Sequence, residues 1–168
     1  MEFLLRPWQM EDAPAVARFA NNKEIARNLR DVFPHPYTLA DAQAYVESCV
    51  HTPEERQICR AIVAGGQAIG SIGLFVGEDV YGRSAELGYW LKDGETGKGY
   101  ISEILPHIEK TFFSAGLHRL VIECETDNIA SAAVAERNGY VFEGIAAGKV
   151  FGYGKYRDCK VYAKVLPD

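Results

Sequence analysis

The feature that most constrains this chain is a strand that runs into a glycine-rich turn and then into a helix. Ala85-Glu86-Leu87-Gly88-Tyr89-Trp90-Leu91-Lys92 reads as an apolar strand, and Gly94-Glu95-Thr96-Gly97-Lys98-Gly99-Tyr100 follows directly. A helix opening on such a turn presents backbone N–H groups at the positive end of its dipole. Such helix starts bind phosphate groups. Two nucleotide-binding patterns do not fit. In the GxxxxGK[ST] loop the lysine precedes Ser or Thr, but Lys98 precedes Gly99, and Lys92 stands where the first glycine belongs. The dinucleotide fingerprint needs a third glycine at the position of Ser102 and a strand near the chain start. What remains is strand, turn and helix, then a second strand and a second helix opening at Asp127-Asn128.

With 168 residues, 48% apolar and 24% charged, the chain fits one globular domain spanning 1–168. No apolar run approaches the length of a membrane span, so no membrane partner is expected. Met1-Glu2-Phe3-Leu4-Leu5-Arg6-Pro7 lacks the basic-then-apolar layout of a signal peptide. Cys49, Cys59, Cys124 and Cys159 are far apart and form no CxxC pair. They suggest reduced thiols in a cytoplasmic protein with no metal site. The net charge of −5 argues against nucleic acid as the main partner. It suits a cationic acceptor such as an amine.

Along the chain, Phe3–Trp8 reads as a strand, and Glu11, Asp12 and Pro14 open a helix through about Asn21. A short helical turn is expected around Glu24–Leu29, then a stiff aromatic loop from Asp31 to Tyr37. Thr38 with Asp41 resembles a capping box for a helix through about Val50. Strands follow at Gln57–Ala64 and Ala68–Val76, joined by Gly65-Gly66, and at Ala85–Lys92. Gly99–Ser114 is a helix whose buried stripe is Ile101, Ile104, Leu105, Ile108 and Phe112, with a kink expected at Pro106. Arg119–Glu125 is a strand, and a helix opens at Asn128 or Ile129 and ends near Asn138-Gly139. Tyr140–Gly144 and Asp158–Leu166 form a closing hairpin. The order β-α-α-β-β-β-α-β-α-β-β is a mixed α+β fold whose middle β-α-β unit is a right-handed parallel crossover.

The chain resembles the GNAT superfamily of acyl-CoA-dependent N-acyltransferases. Within it, the branch that includes ribosomal-protein N-terminal (alanine and serine) acetyltransferases is the most similar. The resemblance rests on the strand Ala85–Leu91, on Gly97–Glu103, on Asp127 through Gly144, and on the opening Leu5–Asn22 with Phe33–Ala42. It implies a mostly antiparallel sheet with one splayed parallel strand pair and helices on both faces. It implies acetyl-CoA as co-substrate, with the family's Arg/Gln-x-x-Gly-x-Gly/Ala motif on Gly94–Gly99. Position 94 is Gly rather than Arg or Gln, a departure that implies weaker cofactor affinity.

By the same resemblance, backbone N–H groups of Gly97, Lys98, Gly99, Tyr100, Ile101 and Ser102 hold the pyrophosphate. The pantetheine arm pairs near Tyr89 and Leu91, aiming the thioester between that strand and Arg119–Glu125. Asn128 contacts cofactor or substrate, and is also a natural helix cap. Transfer to an amine needs removal of a proton, donors for the oxyanion and a leaving thiolate. Glu86 is the candidate base, acting through a water; the alternative is a solvated or salt-bridged strand residue. Backbone N–H groups near Gly88 or Tyr89 are the oxyanion donors. The family's usual acid, a tyrosine, falls on Ala135, so Ser131 is the candidate acid or thiolate-binding group. His35, Phe33, Tyr37 and Trp8 are candidate acceptor-pocket residues, while His107, His118, Tyr140 and Cys124 are read as structural. The expected partner is an amine, a protein N-terminus or a small molecule, and the chain a monomer or homodimer. The missing tyrosine also leaves open a non-catalytic acyl-CoA-binding domain.

Overall fold

In a computed structural model, described for residues 2–23, 25, 35–152 and 154–166, the apolar patterns form seven strands and four helices among those residues. They run β1 (Leu4–Pro7), α1 (Ala13–Ala20), α2 (Leu39–His51), β2 (Gln57–Ala64), β3 (Gln67–Val76) and β4 (Ser84–Leu91). Then follow α3 (Tyr100–Ser114), β5 (Arg119–Glu125), α4 (Ile129–Arg137), β6 (Val141–Gly152) and β7 (Lys155–Val165). All but Ile25 of the helical turn expected at Glu24–Leu29, and most of the aromatic loop, Phe33 included, lie outside the described residues.

The sheet order is β1-β2-β3-β4-β5-β7-β6. β4 and β5 pair in parallel, from Ser84 opposite Arg119 to Leu87 opposite Ile122. β1–β2, β5–β7 and β6–β7 are antiparallel. This is the mixed α/β fold expected, with a parallel step at the strand–turn–helix unit. By its contacts the chain divides into two compact units, Met1–Leu74 with Gly88–Lys98, and Phe75–Leu87 with Gly99–Asp168.

In the first unit Trp8, Val16, Ala20, Tyr37, Val46 and Trp90 belong to one buried cluster. Trp8 therefore leaves the strand that was expected to include it and meets Tyr45 edge-on, ring centroids 5.7 Å apart. Arg6 clamps Asp12 with two 2.7 Å hydrogen bonds, and Gln9 N–H adds a third at 3.0 Å. Burial raises the Asp12 pKa, but these donors outweigh it and hold the carboxyl below its usual range. The expected capping box is present: Thr38 Oγ1 accepts from Asp41 N–H at 3.2 Å, and Asp41 Oδ2 accepts from Thr38 N–H at 2.8 Å.

In the second unit Ile104, Leu105, Leu120, Ile122 and Tyr162 are all but fully buried. α3 continues through Pro106, which is exposed. The closing hairpin is longer than expected. Register shifts between Phe142 and Gly144, and between Ala146 and Val150, break the alternation that marks a strand. Asp158 Oδ1 accepts from Gly148 N–H at 2.7 Å across this irregular stretch.

β3 meets the end of β4 with no room to spare. Lys92 N–H donates to Ile69 O at 2.7 Å. A Cβ at Gly70 would lie 2.4 Å from Trp90 O and 2.7 Å from Leu91 Cδ2. Gly70→Ala should therefore cost about 1–3 kcal/mol in urea unfolding, the usual range for overpacking. A neutral substitution would show that β4 yields freely at this point.

Candidate active site

The turn after β4 is built by backbone angle. Gly94, Gly97 and Gly99 have φ of 79°, 76° and 91°. L side chains rarely adopt this region. A Cβ at any of the three would meet nothing within 4 Å, so angle rather than space demands glycine. Asp93 Oδ1 accepts from Gly94 N–H at 2.9 Å, and Glu95 N–H donates to Lys92 O at 3.2 Å. Gly99 is the N-cap of α3 and has no side chain to cap it. The first helical bond runs from Glu103 N–H to Gly99 O at 3.0 Å. The N–H groups of Tyr100, Ile101 and Ser102 lie ahead of it, at the positive end of a 15-residue helix. Tyr100 and Ile101 bury their side chains, leaving main chain as what they can offer a ligand. An open glycine cradle at a helix start fits a pyrophosphate.

Lys98 is exposed, its Nζ 3.0 Å from Glu95 Oε2, while Lys92 Nζ lies 3.8 Å from Glu95 Oε1. Glu95 is only 17% exposed in its side chain and is shared by both lysines. Nothing in the local sequence marks Glu95 for this contact. Lys92 also stands 4.9 Å from the Phe19 ring centroid, with Arg18 Cζ at 4.5 Å. Arg18, Phe19, Asn21, Asn22, Lys92 and Asp93 line an open hollow of about 280 Å³. Its lining carries two cations, Arg18 and Lys92, against one carboxylate, Asp93.

Glu86 lies in β4 opposite Val121 of β5 and is half-buried, as is Tyr89, while Leu91 is buried. The β4–β5 register ends at Leu87 and Ile122, although β4 continues to Leu91 and β5 to Glu125.

Past β5 the chain turns into α4 through Asn128, whose N–H donates to Glu125 O at 2.9 Å. Asn128 Oδ1 accepts from Ser131 N–H at 3.2 Å, so Asn128 does cap the helix. Burial pushes the Cys124 thiol's pKa up, against smaller opposing influences from Lys160 and Ser131. Ala135, where the family's tyrosine would fall, is fully buried. Asn138 Nδ2 donates to Ser102 Oγ at 3.1 Å and to Val134 O at 2.8 Å, joining the end of α4 to the first turn of α3. Sequence reasoning saw only a helix stop in Asn138; nothing local announces its contact with Ser102.

Other candidates fall elsewhere. Trp8 and Tyr37 are core residues, with Tyr37 N–H donating to Asn21 Oδ1 at 2.9 Å. His35 and His107 are exposed. His118 takes part through its backbone, donating to Arg83 O at 2.8 Å and accepting from Leu166 N–H at 2.9 Å. Tyr140 is buried beneath Lys164, 5.0 Å from its ring centroid. Among the described residues no group of His, Cys, Asp and Glu could hold a metal ion. None of their helices is long and apolar enough to cross a membrane.

Residues 2–141 match the family model of the acetyltransferase (GNAT) domain, and the chain belongs to that family. It is 38% identical over 85 residues to the ribosomal-protein-serine acetyltransferase of Escherichia coli K12, covering 50% of this chain and 48% of that protein. The chain thus spans about half the length of the curated relatives it matches. Among solved structures, the microcin C7 self-immunity acetyltransferase MccE, in complex with acetyl-CoA and AMP, superposes with a TM-score of 0.87. It is 22% identical, with 98% of this chain and 93% of that chain covered. RimL, the ribosomal L7/L12 alpha-N-protein acetyltransferase, in complex with coenzyme A, gives a TM-score of 0.86. It is 24% identical, with 98% and 94% covered.

Gly99→Glu tests the cradle. It forces a side chain into the left-handed region, at about 1–2 kcal/mol, and sets a carboxylate at the helix start. Titration calorimetry with CoA should show binding by the wild type and none by this variant. Gly65→Glu, with φ of 57° in the β2–β3 turn, imposes similar strain elsewhere and should bind CoA normally. Unchanged binding by Gly99→Glu would remove the cradle from the site.

Proposed function

We propose that this chain is an acetyl-CoA-dependent N-acetyltransferase, moving an acetyl group to a primary amine by direct attack on the thioester. The observation that carries this reading is the open glycine cradle at the start of α3 in a chain of the GNAT family. Backbone N–H groups from Gly97 to Ser102 hold the pyrophosphate, with Lys98 exchanging its Glu95 partner for phosphate. Tyr89 and Leu91 offer strand backbone to the pantetheine arm. The acetyl thioester supplies an activated acyl group and a leaving thiolate.

Glu86 takes the ammonium proton through a water. Its half-buried place in β4, beside the last paired residues of β4 and β5, supports that role. Ser131 donates its hydroxyl proton towards the leaving sulfur. Its place in the first turn of α4, held by the Asn128 cap, supports that assignment. Asn128 holds the first turn of α4, and so Ser131, in place. The acceptor is a protein N-terminus or a small-molecule amine. The names of the relatives make peptides beginning with serine or alanine the first to try.

Thiol release from acetyl-CoA across a panel of such peptides, polyamines and amino acids tests the activity. CoA binding without release for any amine would favour the non-catalytic alternative. With an accepted amine, Glu86→Gln should lower turnover roughly 10²–10⁴-fold, the range for a positioned base. CoA affinity should stay nearly unchanged. The loss should shrink as pH rises, because more of the amine is then neutral without help. Ser131→Ala should cost less, since a thiolate leaves without full protonation. A Glu86→Gln variant with normal turnover at every pH would leave positioning and the neutral amine as the source of catalysis.

A further inference from the structure

The end of α4 holds a side chain that the acetyl-transfer reading does not use. Asn138 closes that helix: its N–H donates to Val134 O and Ala135 O, both at 3.2 Å, and Gly139 turns the chain away with φ of 80°. The same turn is pinned to β7, where the Tyr162 hydroxyl donates to Glu136 Oε1 at 2.9 Å. The Asn138 side chain is held as well. Its Nδ2 donates to Val134 O at 2.8 Å and to Ser102 Oγ at 3.1 Å. A carbonyl oxygen can only accept, so Val134 O fixes which end of the amide carries the hydrogens. Asn138 therefore meets Ser102 as a donor.

That direction decides what Ser102 can do. A serine hydroxyl carries one hydrogen and two acceptor lone pairs. Asn138 occupies a lone pair, so the hydroxyl hydrogen points elsewhere, and it is donated to no described residue. Ser102 is half-buried in the first turn of α3, and its N–H stands with those of Tyr100 and Ile101 ahead of the first helical bond. Hydroxyl and N–H belong to one residue, so both can donate into one phosphate group. A hydrogen bond of either to an anionic oxygen is of the stronger, charge-assisted kind.

We propose that Asn138 is a positioning residue for cofactor binding, one that presents the Ser102 hydroxyl as a donor to a phosphoryl oxygen of the CoA pyrophosphate. This rests on the reading of the glycine turn and the start of α3 as the pyrophosphate site. A hydroxyl left to rotate must be ordered by the ligand when it binds. One that already accepts from a fixed amide is oriented beforehand, and that preorganisation raises affinity. The chain from amide to hydroxyl to phosphate also polarises each bond along it. Asn138 touches neither the cofactor nor the reacting atoms; it acts through Ser102.

The test is titration calorimetry of CoA on the full chain as wild type, Ser102→Ala, Asn138→Ala and the double variant. Ser102→Ala should weaken CoA roughly 10–100-fold, the range for a hydrogen bond to a charged group. Asn138→Ala should weaken it roughly 3–10-fold, as loss of an ordinary hydrogen bond does. The double variant should bind like Ser102→Ala alone, because Asn138 then has no hydroxyl to orient. A merely structural role at the end of α4 would persist in the Ser102→Ala background, so additive losses would overturn the proposal. Dephospho-CoA keeps the pyrophosphate and lacks the ribose phosphate, and each variant should weaken it by the same factor as CoA. A loss confined to CoA would overturn the pyrophosphate as the group that Ser102 meets. Ser102→Ala leaves the hydrogen bonds within α4 untouched. Wild-type CoA affinity in that variant would overturn the proposal even where Asn138→Ala does not fold. A wild type that binds no CoA would overturn the underlying reading of the turn, whereas a wild type that binds beside unchanged variants would overturn this proposal alone.

Discussion

The structure depends on the parallel pairing of β4 with β5. Antiparallel neighbours can be joined by two residues, as Gly65-Gly66 joins β2 to β3. Parallel neighbours cannot, because the chain must return to the starting edge before pairing again. α3 is that return path, and its direction follows from the topology. Its N-terminus must open just past the end of β4, so its positive dipole end and early N–H groups lie there too. The turn has only the residues between Leu91 and Tyr100, and it meets that demand with three glycines at positive φ. A glycine turn that opens a helix start is thus a by-product of a crossover made tight.

The same argument explains what was legible in the sequence. Strand, glycine turn, helix and strand are all local signals. So were the Thr38–Asp41 capping box, the stripe from Ile101 to Phe112, and the Asn128 cap, each within a few residues of the atoms it organises. The backbone half of the candidate site was therefore open to reading from residue types alone. The hairpin β6–β7 was underestimated for the converse reason. Its bulges shift the alternation out of phase, and Ala146-Ala147-Gly148 carries no β-branched residue to restore it.

What the sequence hid is the approach of side chains from distant elements. Asn138 reads as a helix stop, yet its amide reaches Ser102. Trp8 and Tyr37 read equally well as pocket or core, and burial against α1 and α2 decides for core. Each depends on how two helices or a helix and a strand dock. That follows from whole-surface packing rather than from any short pattern.

Position 94 shows how such a departure is absorbed. Arginine or glutamine there would have to hold φ near 79°, at about 1–2 kcal/mol for a residue with a Cβ. Glycine holds that angle without strain, but gives up a side chain that could order the turn. Two neighbours take over the ordering. Asp93 fixes the Gly94 amide with its own carboxylate, and Glu95 gathers Lys92 and Lys98 from either side. A partly exposed pair of this kind contributes little to stability. Its larger effect is positional: Glu95 holds the Lys92 and Lys98 ammonium groups to one carboxylate. In this chain the contacts around position 94 come from two acidic side chains, Asp93 and Glu95.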